Sequence, residues 1–235
     1  MSEAQGARFR LYYWPIPFRG AFVSYLFAFR DVPLAQVSSF EAIGKLKSLP
    51  PEEQGIPFMG PPVLEDLEAG LTLSQMPAIV LYVSKELDLL PEQPVDQAIA
   101  MKVLMDCNDL LMEICRYNGS MMWEREAWLE FRGKRLPHWL SVFEESLARG
   151  HFSGKQSSYA DIAVFALFGN MMRCLPELES DVRDHAPGVH AHCHRIGLTP
   201  SLAAKVAQDD EEFGDLYCGG QIEASIREML TLDAA

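Results

Sequence analysis

Residues 62–79 read Pro-Val-Leu-Glu-Asp-Leu-Glu-Ala-Gly-Leu-Thr-Leu-Ser-Gln-Met-Pro-Ala-Ile. Residues 63–66 and 71–73 are short strand-forming runs on either side of an acidic turn that ends in Gly70, which predicts a β-hairpin. Pro77 suits the first turn of a helix that runs to about Leu87. Upstream, Pro50, Pro51, Pro57, Pro61 and Pro62 set the backbone by rings rather than by ladder bonds. Further back, Phe-Arg-Leu-Tyr-Tyr at 9–13 reads as a strand ended by Trp14-Pro15. A helix follows from about Arg19 to Phe29, with Phe22, Leu26 and Phe29 at helical spacing. Residues 35–38 fit a second strand and 41–49 a weak helix. The predicted order is β-α-β-α-β-β-α over residues 1–87.

After a linker at 88–93, residues 94–235 show helical periodicity only. Between 95 and 117, Lys102, Asp106, Asp109, Glu113 and Arg116 form one wet face on an otherwise apolar helix. A second long helix is expected from Trp123 to Ala148, bent near Pro137, with Gly150 as its stop. Ser158 and Asp161 read as a capping box opening a central helix that is apolar on every side. Shorter helices are expected at 178–185, 188–196, 200–207 and 221–230, with Asp209-Asp210-Glu211-Glu212 as a solvated loop.

The chain has 235 residues with 20 Lys+Arg against 33 Asp+Glu, net −13. Nucleic acids and anionic membranes need clustered cations, so neither is expected as a partner. Residues 1–87 carry 7 basic and 9 acidic groups, so the acidity belongs to the helical part. Five cysteines without a C-x-x-C pair fit a reducing compartment. Met-Ser-Glu-Ala-Gln-Gly at the start has no signal-peptide grammar, and no apolar run reaches 18 residues, so a cytoplasmic protein is expected.

Four stretches follow one another in this order: Leu11-Tyr12-Tyr13-Trp14 with Arg19-Gly20, Pro62–Asp66, Gln75–Ile79 with Tyr82, and Ser158–Ile162. Together they resemble the cytosolic glutathione S-transferases, of bacterial or tyrosine type, and Pro187-Gly188-Val189 with His194-Arg195-Ile196 and Pro200 also looks like the late helices of that family. The resemblance implies a thioredoxin-like α/β N-terminal domain followed by an all-α C-terminal domain. It implies no permanently bound cofactor, glutathione as co-substrate, a small hydrophobic electrophile as second substrate, a detoxifying role and a homodimer. Two further functions are carried with it: a non-catalytic binding protein with a degraded thiol site, and a glutathione-dependent peroxidase.

A free thiol of pKa about 8.5 is only roughly 3% ionised at pH 7. A hydroxyl aimed at the sulfur favours the anion. Tyr13 is the expected donor, as in the tyrosine-type branches; Tyr12 must point to the opposite face. Other branches use Ser or Cys a few residues later, but Pro15-Ile16-Pro17-Phe18 has neither. Arg19 either adds positive potential there or forms a structural ion pair. By the resemblance Trp14, Pro61, Gln75 and Met76 bind glutathione, Lys45 or Lys47 meets its glycyl carboxylate, and Pro62 is the cis-proline. Two residues depart from the family pattern. Pro61 has no N–H to give, and Met76 replaces a Ser or Thr hydroxyl.

Met105, Met112, Tyr117, Met121, Met122 and Trp123 are candidates for the apolar substrate pocket or for core filler. Phe58 either keys into a partner subunit or covers its own loop. Asp106 or Asp109 either reaches the partner's glutathione or is simply solvated. Ser158 and Asp161 are read as structural. His190, His192 and His194 with Cys193 are taken as helix-surface residues, with no metal site expected.

Overall fold

The computed structural model describes residues 6–233. A four-stranded mixed sheet has the order β2-β1-β3-β4, with β1 at Phe9–Tyr12, β2 at Leu34–Val37, β3 at Val63–Asp66 and β4 at Leu71–Ser74. β1 runs parallel to β2 and antiparallel to β3, which pairs antiparallel with β4. The alternation in β1 is that of a half-buried strand: Phe9 and Leu11 are buried, whereas Arg10 and Tyr12 are partly exposed. The hairpin turn is fixed by Asp66. Its Oδ1 accepts the Glu68 and Ala69 N–H groups, and Arg8 grips both carboxylate oxygens at 2.9 and 2.6 Å. The Arg8 guanidinium holds the Asp66 carboxyl well below the usual carboxylate range.

α1 (Phe18–Phe29), α2 (Phe40–Ser48) and α3 (Met76–Glu86) complete this part. Ser39 caps α2 by accepting the Ala42 N–H at 3.3 Å. α1 is buried over most of its length, which explains its weak amphipathicity. It packs against α3 on one side and the helical region on the other.

The helical region begins with α4, Pro94–Ile114. The expected wet face is interrupted because α4 stops at Ile114 rather than continuing to 117. Arg116, Tyr117 and Asn118 all take positive φ, and the Trp123 indole N–H caps the Ile114 carbonyl at 2.9 Å. The helix expected from 123 starts at α5 (Arg125–Glu130) and passes through a wide π-turn, Phe131–Arg135, into α6 (Leu136–Ala148). The wide turn lies just before Pro137, whose missing N–H and ring are incompatible with a regular α-turn there.

The central helix is built from α7 (Tyr159–Val164), a π-turn at Phe165–Gly169 and α8 (Asn170–Cys174). The Ser158–Asp161 capping box forms. α9 (Glu179–His185) and α10 (Pro187–Gly197) follow. α11 runs from Pro200 to Phe213, so the acidic run 209–212 is helical and not a loop. Partners one turn away and on the facing helix explain this. Lys205 Nζ meets the buried Asp209 at 2.5 Å, and Arg173 pairs with Asp210. α12, Gly220–Asp233, extends beyond the expected 230 because Asp233 accepts the Trp128 indole N–H at 2.8 Å and pairs with Arg132. Among the described residues, no helix is long and apolar enough to cross a membrane.

Candidate functional site

A cavity of about 950 Å³ opens between the sheet part and the helical region. Four segments of the first part reach it: the loop from β1 into α1, Lys47 of α2, the Met59–Pro62 stretch, and Gln75–Pro77 at the start of α3. The facing wall consists of Asn108 and Met112 of α4, Cys115, Asn118 and Gly119 of the turn after it, Met122, and Cys218–Ile222 leading into α12.

Tyr13 continues β1 by one residue, its N–H reaching Val37 O at 3.2 Å. Strand alternation then separates the two tyrosines. Tyr12 turns to the other face and donates to Glu65 at 3.1 Å, whereas Tyr13 lines the cavity with only 6% of its surface exposed. Its ring needs Gly20, because a Cβ there would meet Tyr13 Cγ at 2.8 Å. The Tyr13 oxygen accepts the Arg19 N–H at 3.1 Å, so its own proton remains available to a group in the cavity. Burial pushes the phenol far above its usual range, and the nearby Arg19 opposes this only in part. A neutral phenol at physiological pH can donate a hydrogen bond but cannot act as a base.

Arg19 lines the same wall, and no carboxylate pairs with it among the described residues, which corrects the ion-pair reading. Its guanidinium lies over the Phe18 ring at 4.9 Å and reaches Met112 Sδ at 3.0 Å. A cation with no paired anion raises the potential beside the Tyr13 hydroxyl.

The Pro61–Pro62 peptide is cis, and both prolines line the cavity. Gln75 sits at φ 70°, ψ 114°, a conformation rarely adopted by a residue with a side chain. It leads into the first turn of α3, whose early N–H groups have no intrahelical partner and favour an anion. The Met76 side chain lines the wall but is 2% exposed and brings no hydroxyl. The Trp14 ring packs against Phe40 at 5.6 Å, with Lys47 Nζ over its face at 5.5 Å. Lys47 is thus the lysine at the cavity; Lys45, two residues earlier on α2, does not line it.

Of the candidate apolar residues, Met112 and Met122 line the cavity. Met105 and Tyr117 do not; both point to solvent, at 38% and 63% exposure. Met121 is exposed, and Trp123 is buried in the core, stacked edge-on against Trp128. Asp106 pairs with Lys102 at 2.5 Å and Asp109 is exposed, so neither lines the cavity. Phe58 is half-buried, its N–H held by Gln54 Oε1 at 2.8 Å, while Met59 beside it is 93% exposed at the cavity rim. Ser158 and Asp161 lie outside the cavity, at the base of the central helix.

The sequence reading missed the wall formed by Cys218–Ile222. Glu223 builds it: one carboxylate oxygen accepts the N–H groups of Tyr217, Cys218 and Gly219 at 2.9, 2.9 and 2.6 Å, and the other binds Arg227. Gly219 and Gly220 both take positive φ, as a Gly-Gly turn signal suggests. Burial pushes the Cys218 thiol well above its usual range, which makes it a poor nucleophile. Asn108 was also missed; it sits beside the wet stripe of α4 and had no sequence signal of its own.

The chain is similar to known proteins in sequence and in fold. The family described as "Glutathione S-transferase, C-terminal domain" matches residues 99–229. A glutathione S-transferase of Plasmodium yoelii yoelii is 27% identical over 163 residues, 68% of this chain and 73% of the relative. One from Plasmodium falciparum is 26% identical over 160 residues, 64% and 71% of the two chains. Among solved structures, the Pi-class glutathione S-transferase of Onchocerca volvulus superposes with a TM-score of 0.73 at 19% identity, covering 91% of this chain and 98% of that one. The prostaglandin synthase D of Nilaparvata lugens gives 0.70 at 18% identity, covering 86% of this chain and 98% of that one.

Proposed function

Because the chain belongs to the glutathione S-transferase family of enzymes, we propose that it adds the glutathione thiolate to small hydrophobic electrophiles, with Tyr13 as the group that stabilises the sulfur anion. One observation carries this reading: a buried, protonated Tyr13 hydroxyl that already accepts the Arg19 N–H and has its own proton to give. Lowering the thiol pKa by about two units raises the thiolate fraction at pH 7 roughly 25-fold but lowers its nucleophilicity roughly 8-fold. The net gain over free glutathione at pH 7 is therefore a few-fold, and holding both reactants in the cavity supplies the rest.

On this reading glutathione lies along Trp14, Pro61, Gln75 and Met76, with Lys47 for its glycyl carboxylate. The electrophile faces Met112 and Met122. The protein works without a permanently bound cofactor, in a reducing compartment such as the cytoplasm. Residues 1–87 act as the glutathione-binding domain and 94–235 as the domain that shapes the second-substrate wall.

A second reading, a binding protein with a weakened thiol site, is favoured by Pro61 and Met76. Each removes one hydrogen bond of the family pattern, and a bond to a charged group is worth about 1.5–3 kcal/mol. Calorimetric titration with glutathione decides whether the enzyme reading stands. Binding at or below millimolar concentration is expected, and no heat of binding at several millimolar would overturn it.

The homodimer belongs to the same proposal, with Phe58 and the exposed Met59 as the contact. Sedimentation equilibrium is expected to show a dimer for the wild type and a shift toward monomer for Phe58→Ser. An unchanged dimer would remove Phe58 from that role and leave it as a loop aromatic.

A further inference from the structure

We propose that Glu179, His190 and His194 form a binding site for a zinc-like divalent cation on the outer face of the helical region. His190 and His194 are one turn apart on α10 and therefore share a face. Their rings lie 4.6 Å apart. Glu179, the first residue of α9, brings Oε1 to 3.2 Å from His190 Nε2. One ligand atom from each of the three residues lies within 4.8 Å of the other two.

Zinc bonds of about 2.0–2.2 Å in tetrahedral geometry put ligand atoms roughly 3.3–3.6 Å apart. The Glu179–His190 pair is already at that spacing. Only His194, exposed at the surface, must rotate inward by little more than an ångström, about one side-chain adjustment. Two imidazoles and one carboxylate are a common zinc ligand set, with the fourth position left to water.

The structure also sorts the histidine run into different roles. His192 is buried, with Nε2 at 3.1 Å from the Asp161 carbonyl and Nδ1 engaged by Arg195. Cys193 is buried against the Val164 carbonyl. Neither can join the surface pair. The missing third ligand comes from the preceding helix, which is why the spacing within residues 190–194 gave no sign of it.

The site is rigidly backed. Glu144 of α6 accepts the Gly188 and Val189 N–H groups at 3.0 Å each and fixes the start of α10. A cation bridging Glu179 to α10 would tie α9 down against an already anchored helix, so occupancy should protect α9 from local opening. None of the three residues lines the cavity, so the site is separate from the proposed conjugation chemistry.

The test is calorimetric titration of the chelator-treated, full-length protein with zinc chloride at neutral pH. One zinc per chain with micromolar affinity is expected. His194→Gln and Glu179→Gln should each weaken it at least about tenfold. Circular dichroism and metal-free conjugation activity should stay at wild-type levels in both variants, which separates ligand loss from misfolding. Hydrogen exchange should slow in α9 on zinc addition to the wild type only. No zinc binding at 100 micromolar, or equal affinity in the wild type and the His190→Gln/His194→Gln double variant, would overturn the proposal.

Discussion

Tyr13→Phe is expected to lower kcat/KM for conjugation by about 10- to 100-fold, as loss of a hydrogen bond to a charged group implies. Glutathione affinity should change much less. The loss exceeds the few-fold gain reckoned against free glutathione because the reference differs. Inside the cavity the sulfur is desolvated, and without the hydroxyl its ionisation becomes harder than in water. The variant keeps the ring that sits against Gly20 and removes only the oxygen that meets the Arg19 N–H. Its fold should therefore survive, with a small penalty for that unpaired N–H in the first turn of α1. Steady-state kinetics with a chlorinated aromatic acceptor measure the effect. Activity within threefold of the wild type would remove Tyr13 from the chemistry.

Asp161→Ala is expected to destabilise the protein by about 2–4 kcal/mol, combining a lost cap with buried donors left unpaired. Asp161 is 1% exposed. Its two oxygens accept the Ser158 N–H at 2.8 Å, the Ser158 hydroxyl at 3.1 Å and the Ser153 N–H at 2.6 Å. It thus closes the capping box and also pins the loop before the central helix. Ser158→Ala removes a single acceptor of the Ala160 N–H and should cost only about 1 kcal/mol. Urea unfolding followed by circular dichroism compares the two. Near-equal midpoints for Asp161→Ala and the wild type would contradict a structural role. Residual activity per folded molecule should be unchanged, since neither residue reaches the cavity.

The N-terminal order of elements was legible because its signals are local. The strand at 9–12, the hairpin around Gly70 and the proline-led α3 are each marked by residues within a few positions of one another. The Tyr12/Tyr13 choice was less so: alternation says that the two differ in face, but only the pairing with β3, which sets Tyr12 opposite Val63, says which face belongs to which. The helical region failed where distant partners decide. α4 ends early because Trp123 returns to cap it, and the acidic run 209–212 is helical because Arg173 and Lys205 neutralise it. The same reason hid much of the cavity wall. Cys218–Ile222 lie more than a hundred residues from Met112 in sequence, and their placement depends on a buried Glu223 that looks like any surface acid. Methionine content alone could not separate Met112 and Met122 from the solvent-facing Met105.

The central claim, that a neutral Tyr13 hydroxyl stabilises the glutathione thiolate, is tested most directly by the ultraviolet absorbance of the bound thiolate as pH is varied at saturating glutathione. The account predicts that the thiol ionises about two units below its free value of about 8.5 in the wild type. In Tyr13→Phe the transition should return to that value or above it. An identical titration in the two proteins, or a bound thiol that ionises no more readily than free glutathione in the wild type, would contradict it.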